Sequence, residues 1–91
     1  MSLTASQLLL KRFAGRLNTA LDALGAPALP LDRARFFGGA IEQDAGNVSA
    51  MLNGFLMPDW DTLLKICAVT NRQPGYFLDE SITQYPPETR L

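Results

Sequence analysis

Few side chains in this sequence could carry out catalysis. The chain contains one cysteine, Cys67, and no histidine, so no imidazole is available to activate a nucleophile. Cys67 lies in the apolar run 63–69, which predicts a buried thiol that packs as a small hydrophobic residue. Asp59 and Asp61 are better explained by capping and by the helix dipole than by a catalytic dyad. The sequence therefore predicts a protein that is not an enzyme and binds neither a metal nor a cofactor.

Length and charge narrow the class of protein. The chain has 91 residues, of which 47% are hydrophobic, as expected for one globular domain. Its net charge of −1 argues against a nonspecific nucleic-acid coat, because such proteins carry a large basic excess. The lone cysteine suits a reducing compartment, and the apolar runs are too short to span a bilayer. Since Lys11 and Arg12 follow the first apolar run, unlike the charges of a signal peptide, we expect a cytoplasmic protein.

Hydrophobic periodicity predicts helices and no strand. From Thr4 to Leu24, apolar residues recur at three- and four-residue spacing, which predicts a long first helix with one core-facing stripe. Asp32 is predicted to cap a second helix that extends to Ile41 or Glu42. The predicted stripe of the first helix comprises Leu9, Phe13, Leu17, Leu21 and Leu24, with Leu10 and Ala20 beside it.

Three shorter helices are predicted to follow. Asp44 and Asp59 have the chemistry of N-caps, Pro74 suits a first helical turn, and Asn53-Gly54 suits a helix end because both residues tolerate a left-handed conformation. The predicted third and fourth helices span about residues 45–52 and 60–70, and the fifth runs from 74 to 78 or 79. The predicted apolar face of the fourth comprises Trp60, Leu63, Leu64, Ile66, Cys67 and Val69. Trp60 is predicted to lie either in the core or at a dimer contact. Residues 1–80 are predicted to form the domain and residues 81–91 a C-terminal tail.

The most informative segment runs from Phe37 to Pro58. It predicts a helix, a turn of about three residues and a second short helix, which is the helix-turn-helix arrangement. Gly38 and Gly39 would weaken the first of these helices by about 2 kcal/mol, which is explained if another backbone crosses there. Residues 44–47 are small or polar, as a helix end that enters the major groove must be. Apolar residues spaced to hold the two helices together are Phe37, Ile41, Val48 and Met51.

Three runs of residues resemble a known family. They are Val-Ser-Ala-Met-Leu-Asn-Gly at 48–54, Met-Pro-Asp-Trp-Asp-Thr-Leu-Leu-Lys-Ile-Cys-Ala at 57–68, and Gln-Pro-Gly-Tyr-Phe-Leu at 73–78. With them, the chain from about Phe13 to Leu78 is similar to the lambda-repressor-like (Cro/repressor-type) helix-turn-helix family. The resemblance implies an all-α fold of five helices, in which the second and third form the helix-turn-helix of a DNA-binding domain.

The chain departs from the family pattern at three positions. Glu42 stands where the family usually has a glycine, so either Glu42 takes an unfavourable left-handed conformation or the turn is reshaped, for example by a longer second helix. Gln43 stands where an aliphatic residue is usual, and it either faces solvent or points toward DNA. Phe55 replaces a frequent basic residue, which removes one expected phosphate contact.

The resemblance also implies a set of DNA contacts. By matching position, bases in the major groove would be contacted by Ala45, Gly46, Asn47 and Ala50. Phosphates would be contacted by Ser49, Asn53, Arg33 and Arg35, and Gln43 could reach the groove or a phosphate. Asn47 is the one long hydrogen-bonding side chain among the base contacts, and asparagine can pair with adenine through two hydrogen bonds. Lys11, Arg12 and Arg16 are predicted to form a solvated face instead.

Two functions follow from these expectations. The first is a sequence-specific transcriptional regulator, a small repressor that binds a palindromic operator in double-stranded DNA as a homodimer. Its predicted dimer contacts are in the final helix and the tail, at Tyr76, Phe77, Leu78, Ile82 and Tyr85. The alternative is a protein-interaction module, an antitoxin or anti-regulator on the same fold. The acidic pI, the loss of a basic residue at Phe55 and the apolar run 55–57 favour that alternative.

Overall fold

A computed structural model describes residues 4–78 of the chain. This part is all-α, as predicted, and contains no strand. The five helices are α1 (Ala5–Ala23), α2 (Pro30–Ile41), α3 (Ala45–Leu52), α4 (Trp60–Thr70) and α5 (Pro74–Phe77). No helix within these residues is long and apolar enough to cross a membrane. The predicted tail, with Ile82 and Tyr85, lies outside the described residues.

Helix α1 begins with a reciprocal cap. The Gln7 backbone N–H donates to the Thr4 hydroxyl at 3.1 Å, and the Thr4 N–H donates to the Gln7 side chain at 2.9 Å. The core-facing stripe differs from the predicted one, because the placement of Leu24 in it is wrong. Leu24 follows the last helical residue and is 44% exposed, whereas Leu10 is 1% exposed. The buried stripe is Leu10, Phe13, Ala14, Leu17, Ala20 and Leu21.

Helix α2 starts earlier than predicted. Its N-cap is Leu29 and its first residue is Pro30, so the prediction of Asp32 as the N-cap is wrong. Proline is favoured at this position because its fixed φ suits a helix and its missing N–H needs no partner. Asp32 instead lies in the first turn, where a carboxylate interacts favourably with the helix dipole.

All five helices contribute to one core. Its fully buried aromatic residues are Phe13 of α1, Phe37 of α2 and Phe77 of α5. The predicted dimer contact through Phe77 is therefore wrong, because this ring is 0% exposed and packs 5.9 Å from the Phe13 ring. The other large side chains of the core are Leu17, Leu21, Ile41, Val48, Met51, Leu63 and Ile66.

Helix α4 has a narrower buried face than predicted. Leu63, Ile66 and Cys67 are buried, but Trp60 is 44% exposed and Leu64 is 43% exposed. The prediction that Leu64 belongs to the buried face is wrong, and of the two alternatives for Trp60 the core is wrong, because the helix turns Leu63, Ile66 and Cys67 toward the core instead.

Candidate nucleic-acid interface

The packing of α2 against α3 depends on one glycine. A Cβ at Gly38 would lie 2.6 Å from the backbone oxygen of Gln43 and 3.5 Å from Cγ2 of Val48. Real Cβ atoms do not approach a backbone oxygen so closely, so only glycine fits. The predicted close approach at Gly38 is confirmed. The same prediction for Gly39 is wrong, because Gly39 is exposed and nothing lies within 4 Å of a Cβ built on it.

The connection between α2 and α3 is kept short by a left-handed residue. Glu42 ends α2 with φ 60° and ψ 41°, and its N–H and that of Gln43 both donate to the Gly38 carbonyl. Of the two alternatives for this turn, the left-handed one is correct, since α2 ends at Ile41 and is not extended. The Glu42 carboxylate accepts a hydrogen bond of 3.0 Å from Lys65 Nζ, which ties the turn to α4.

Helix α3 starts at a carboxylate cap. The Asp44 side chain accepts a hydrogen bond of 2.8 Å from the Asn47 backbone N–H, which confirms Asp44 as the N-cap. Val48 and Met51 face the core, while the opposite face is small or polar and carries no charge. On that face Gly46, Asn47 and Asn53 are exposed, and Ser49 and Ala50 are half-buried. Ala45 is also half-buried but packs against the core, and its predicted base contact stays a prediction.

A chain of polar contacts holds the Asn47 side chain. Asn47 Nδ2 donates to Gln43 Oε1 at 3.4 Å, and Gln43 Nε2 donates to the Thr62 hydroxyl of α4 at 3.3 Å. Hydrogen bonds from the Thr62 hydroxyl and backbone N–H to Asp59 lower the pKa of that carboxyl. Gln43 is therefore not a fully solvated turn residue, and its predicted contact with DNA stays a prediction. It is half-buried and connects Asn47 to the N-terminus of α4.

At the other end of α3, Asn53 is held against its own helix. Its Nδ2 donates to the Ser49 carbonyl at 2.8 Å and approaches the Ser49 hydroxyl at 3.4 Å. Of the predicted helix-closing pair, only Gly54 is left-handed, with φ 79°, whereas Asn53 has φ −97°. Asn47 and Asn53 thus present amide groups at the two ends of the uncharged face of α3.

Arg33 lies inside the protein, which contradicts its prediction as a phosphate contact. It is 7% exposed, and its guanidinium donates to the Pro27 carbonyl at 2.7 Å and to Asn18 Oδ1 at 3.1 Å. It also forms a salt bridge with Asp22. Asn18 in turn donates to the Leu52 carbonyl at 3.1 Å, so Arg33 helps to join α1, α2 and α3. Its three guanidinium nitrogens all bind acceptors within the protein, so they are not available to DNA.

Arg35, unlike the buried Arg33, lies at the protein surface. It is exposed, and within residues 4–78 it forms no hydrogen bond or salt bridge. Arg35 is three residues before Gly38 on α2, so it lies on the flank of α2 that faces α3. Two other arginines are engaged elsewhere: Arg16 donates to the Tyr76 carbonyl at 2.7 Å, and Arg72 lies 5.1 Å from the centre of the Tyr76 ring.

Sequence reasoning missed a cation at the C-terminal end of α3. Lys11 of α1 lies over the Phe55 ring, with Nζ 5.4 Å from the ring centroid. Gly54 permits this contact, because its left-handed backbone packs against Lys11 and Leu10. The family resemblance leads one to expect a basic residue at position 55, where this chain has Phe55. Lys11 places a positive charge beside that position instead. No local sequence signal could indicate a pairing between residues so distant in the chain.

Cys67 is the remaining residue whose type could carry chemistry, and it is free and buried. Burial raises the pKa of the Cys67 thiol, which disfavours the reactive thiolate. Among residues 4–78, no group of acidic or cysteine side chains could hold a metal ion. Comparison with protein-family models, with characterised proteins and with solved structures finds no match for the chain.

Proposed function

We propose that this protein is a sequence-specific DNA-binding regulator, in which α2 and α3 form a helix-turn-helix of the lambda-repressor-like type. In this proposal α3 enters the major groove and two copies bind a palindromic operator as a repressor in the cytoplasm. No catalytic step is assigned to the protein, since a repressor of this kind acts by occupying DNA.

The observation that supports the proposal best is the held side chain of Asn47. It projects from the exposed N-terminal end of α3, and Gln43 takes one of its amide hydrogens. The other amide hydrogen and the carbonyl oxygen are left to pair with N7 and N6 of adenine. An amide already fixed in orientation loses less conformational entropy on binding. Gly46 and Ala50, which have little or no side chain, allow α3 to approach the bases closely.

Phosphate contacts are assigned to the cations that flank α3. Arg35 lies on one side and Lys11 at the C-terminal end, with Ser49 and Asn53 as uncharged partners. Asp44 already satisfies the N-terminus of α3, so the helix dipole contributes little there. With about two neutralised phosphates per copy, the slope of log K against log salt concentration should be roughly −2 per copy.

Selection from a random DNA pool at physiological salt tests this function. We expect a palindromic consensus with an adenine contacted by Asn47 in each half-site. Asn47→Ala should lose preference at that position by about 1–3 kcal/mol while it retains preference elsewhere. Arg35→Ala should weaken binding to all sequences and reduce the salt slope by about 0.9 per copy.

Arg72→Ala is the matched control for Arg35→Ala. Both residues are exposed arginines, but Arg72 lies beside Tyr76 in the turn before α5. Its removal should leave the salt slope unchanged. A pool that shows no enrichment, or an Asn47→Ala variant that selects the same consensus, would refute DNA reading by α3.

A protein-interaction module is the second candidate, and an exposed apolar segment favours it. Phe55 is 66% exposed and Leu56 is 37% exposed in the connection after α3. Only Met57 of the predicted apolar run 55–57 packs against the core. If a basic protein co-purifies with the chain and is lost on Leu56→Ser, while the random DNA pool gives no consensus, this second function replaces the first.

A further inference from the structure

Helix α4 presents an apolar row on the side away from the core. Trp60, Leu64 and Ala68 follow each other at four-residue spacing, which places them in one row along the helix surface. All three are exposed, Trp60 by 44% and Leu64 by 43%. Single exposed apolar residues are ordinary, but two large ones adjacent on one row suggest a contact surface. We call Trp60, Leu64 and Ala68 the α4 row.

The side chains of the α4 row are complementary in size to the same row of a second copy. If a second copy of α4 packs antiparallel about a two-fold axis at Leu64, Trp60 of each copy faces Ala68 of the other. The largest side chain is then opposite the smallest, and the two Leu64 side chains meet at the axis. Such an isologous contact uses the same surface on both copies and closes after two.

The charges beside the row fit the same arrangement. Asp61 and Lys65 are both exposed and lie along one edge of the α4 row. In an antiparallel pair the same edges of the two helices meet, and Asp61 of one copy comes within about 3 Å along the axis of Lys65 of the other. Lys65 already binds Glu42 at 3.0 Å, but its ammonium has three donors and can serve both carboxylates.

We propose that two copies of this chain associate through an antiparallel contact between their α4 rows. This takes up the alternative that Trp60 is a dimer contact, and it replaces the predicted contact at Phe77, which is buried in its own copy. One helix pair buries less area than a standard stable interface, so we expect a dimer of about micromolar affinity or weaker. The inference deepens the homodimer of the proposed function, but it is tested without DNA.

The single tryptophan of the chain reports directly on this contact. Analytical ultracentrifugation should show a monomer–dimer equilibrium, and Trp60 emission should shift to the red on dilution over the same concentration range. Leu64→Glu places two like charges at the axis and should raise the dimer Kd at least tenfold. Leu8→Glu is the matched control, because Leu8 is also 43% exposed but lies on α1, and it should leave Kd unchanged.

Two results would overturn the proposal. One is a wild-type chain that stays monomeric, with constant Trp60 emission, up to about millimolar concentration, which is far above the expected Kd. The other is a dimer that Leu64→Glu does not weaken while circular dichroism shows a folded helical chain. If Leu64→Glu weakens the dimer as expected but selection from the random DNA pool gives no consensus, the proposed function is refuted and the α4 contact is retained.

Discussion

Gly38 of α2 lies so close to Gln43 that a single added carbon would collide with the Gln43 backbone oxygen, at 2.6 Å. The neighbouring Gly39 faces open space. The pair of glycines therefore separates into one residue required for packing and one that only weakens the helix.

Gly38→Ala should destabilise the protein by about 1–3 kcal/mol, since the backbone must move to admit the methyl group. Gly39→Ala is its control and should stabilise the protein by up to about 1 kcal/mol, because alanine favours a helix over glycine. Urea denaturation of both variants measures the difference in free energy of unfolding. Equal effects of the two substitutions would mean that α2 and α3 do not cross at Gly38.

Glu42→Gly should stabilise the protein by roughly 0.5–1 kcal/mol. Glycine adopts the left-handed backbone of position 42 without a Cβ penalty, and the lost salt bridge to Lys65 is exposed and worth little. Glu42→Gln separates the two effects, because it removes the charge but keeps the strained backbone. Thermal denaturation should show a higher Tm for Glu42→Gly and almost no change for Glu42→Gln, and a lower Tm for Glu42→Gly would contradict the strain argument.

Arg33→Met should destabilise the protein by about 2 kcal/mol. It keeps the apolar stem but removes the donors to the Pro27 carbonyl and Asn18 Oδ1, so these partly buried acceptors lose their hydrogen bonds. Arg35→Met, at an exposed position, should change stability by less than about 0.5 kcal/mol. Chemical denaturation of both variants measures the change in free energy of unfolding. If Arg33 rather than Arg35 faces solvent, Arg35→Met will be the more destabilising of the two.

Cys67 should react slowly with a thiol reagent in the folded protein. Burial raises the pKa of this thiol above its ordinary value, so the reactive thiolate is scarcer at any given pH than in the unfolded chain. At pH 8 the native rate of disulfide exchange with an aromatic disulfide should be at least about tenfold below the rate in guanidinium chloride. Because the chain has one cysteine, the signal comes from Cys67 alone, and equal rates in both solvents would place it at the surface.

The five helices and most of their ends could be predicted from local sequence. Asp44 and Asp59 cap α3 and α4 as predicted, because a cap requires only a side chain and backbone N–H groups a few residues later. The close approach at Gly38 was also predictable, since a glycine inside a helix costs stability unless a neighbour requires it. These features depend on residues that are near each other in the chain.

Which charged and aromatic side chains face inward depends on how the helices pack, and local sequence could not predict it. Arg33 and Arg35 are two residues apart on α2, yet one is bonded to Pro27 and Asn18 while the other is exposed. The placement of Lys11 over Phe55 likewise depends on how α1 packs against the end of α3. Hydrophobic periodicity defines the core side of a helix, but it cannot identify the distant acceptor or ring that a long cationic side chain will reach.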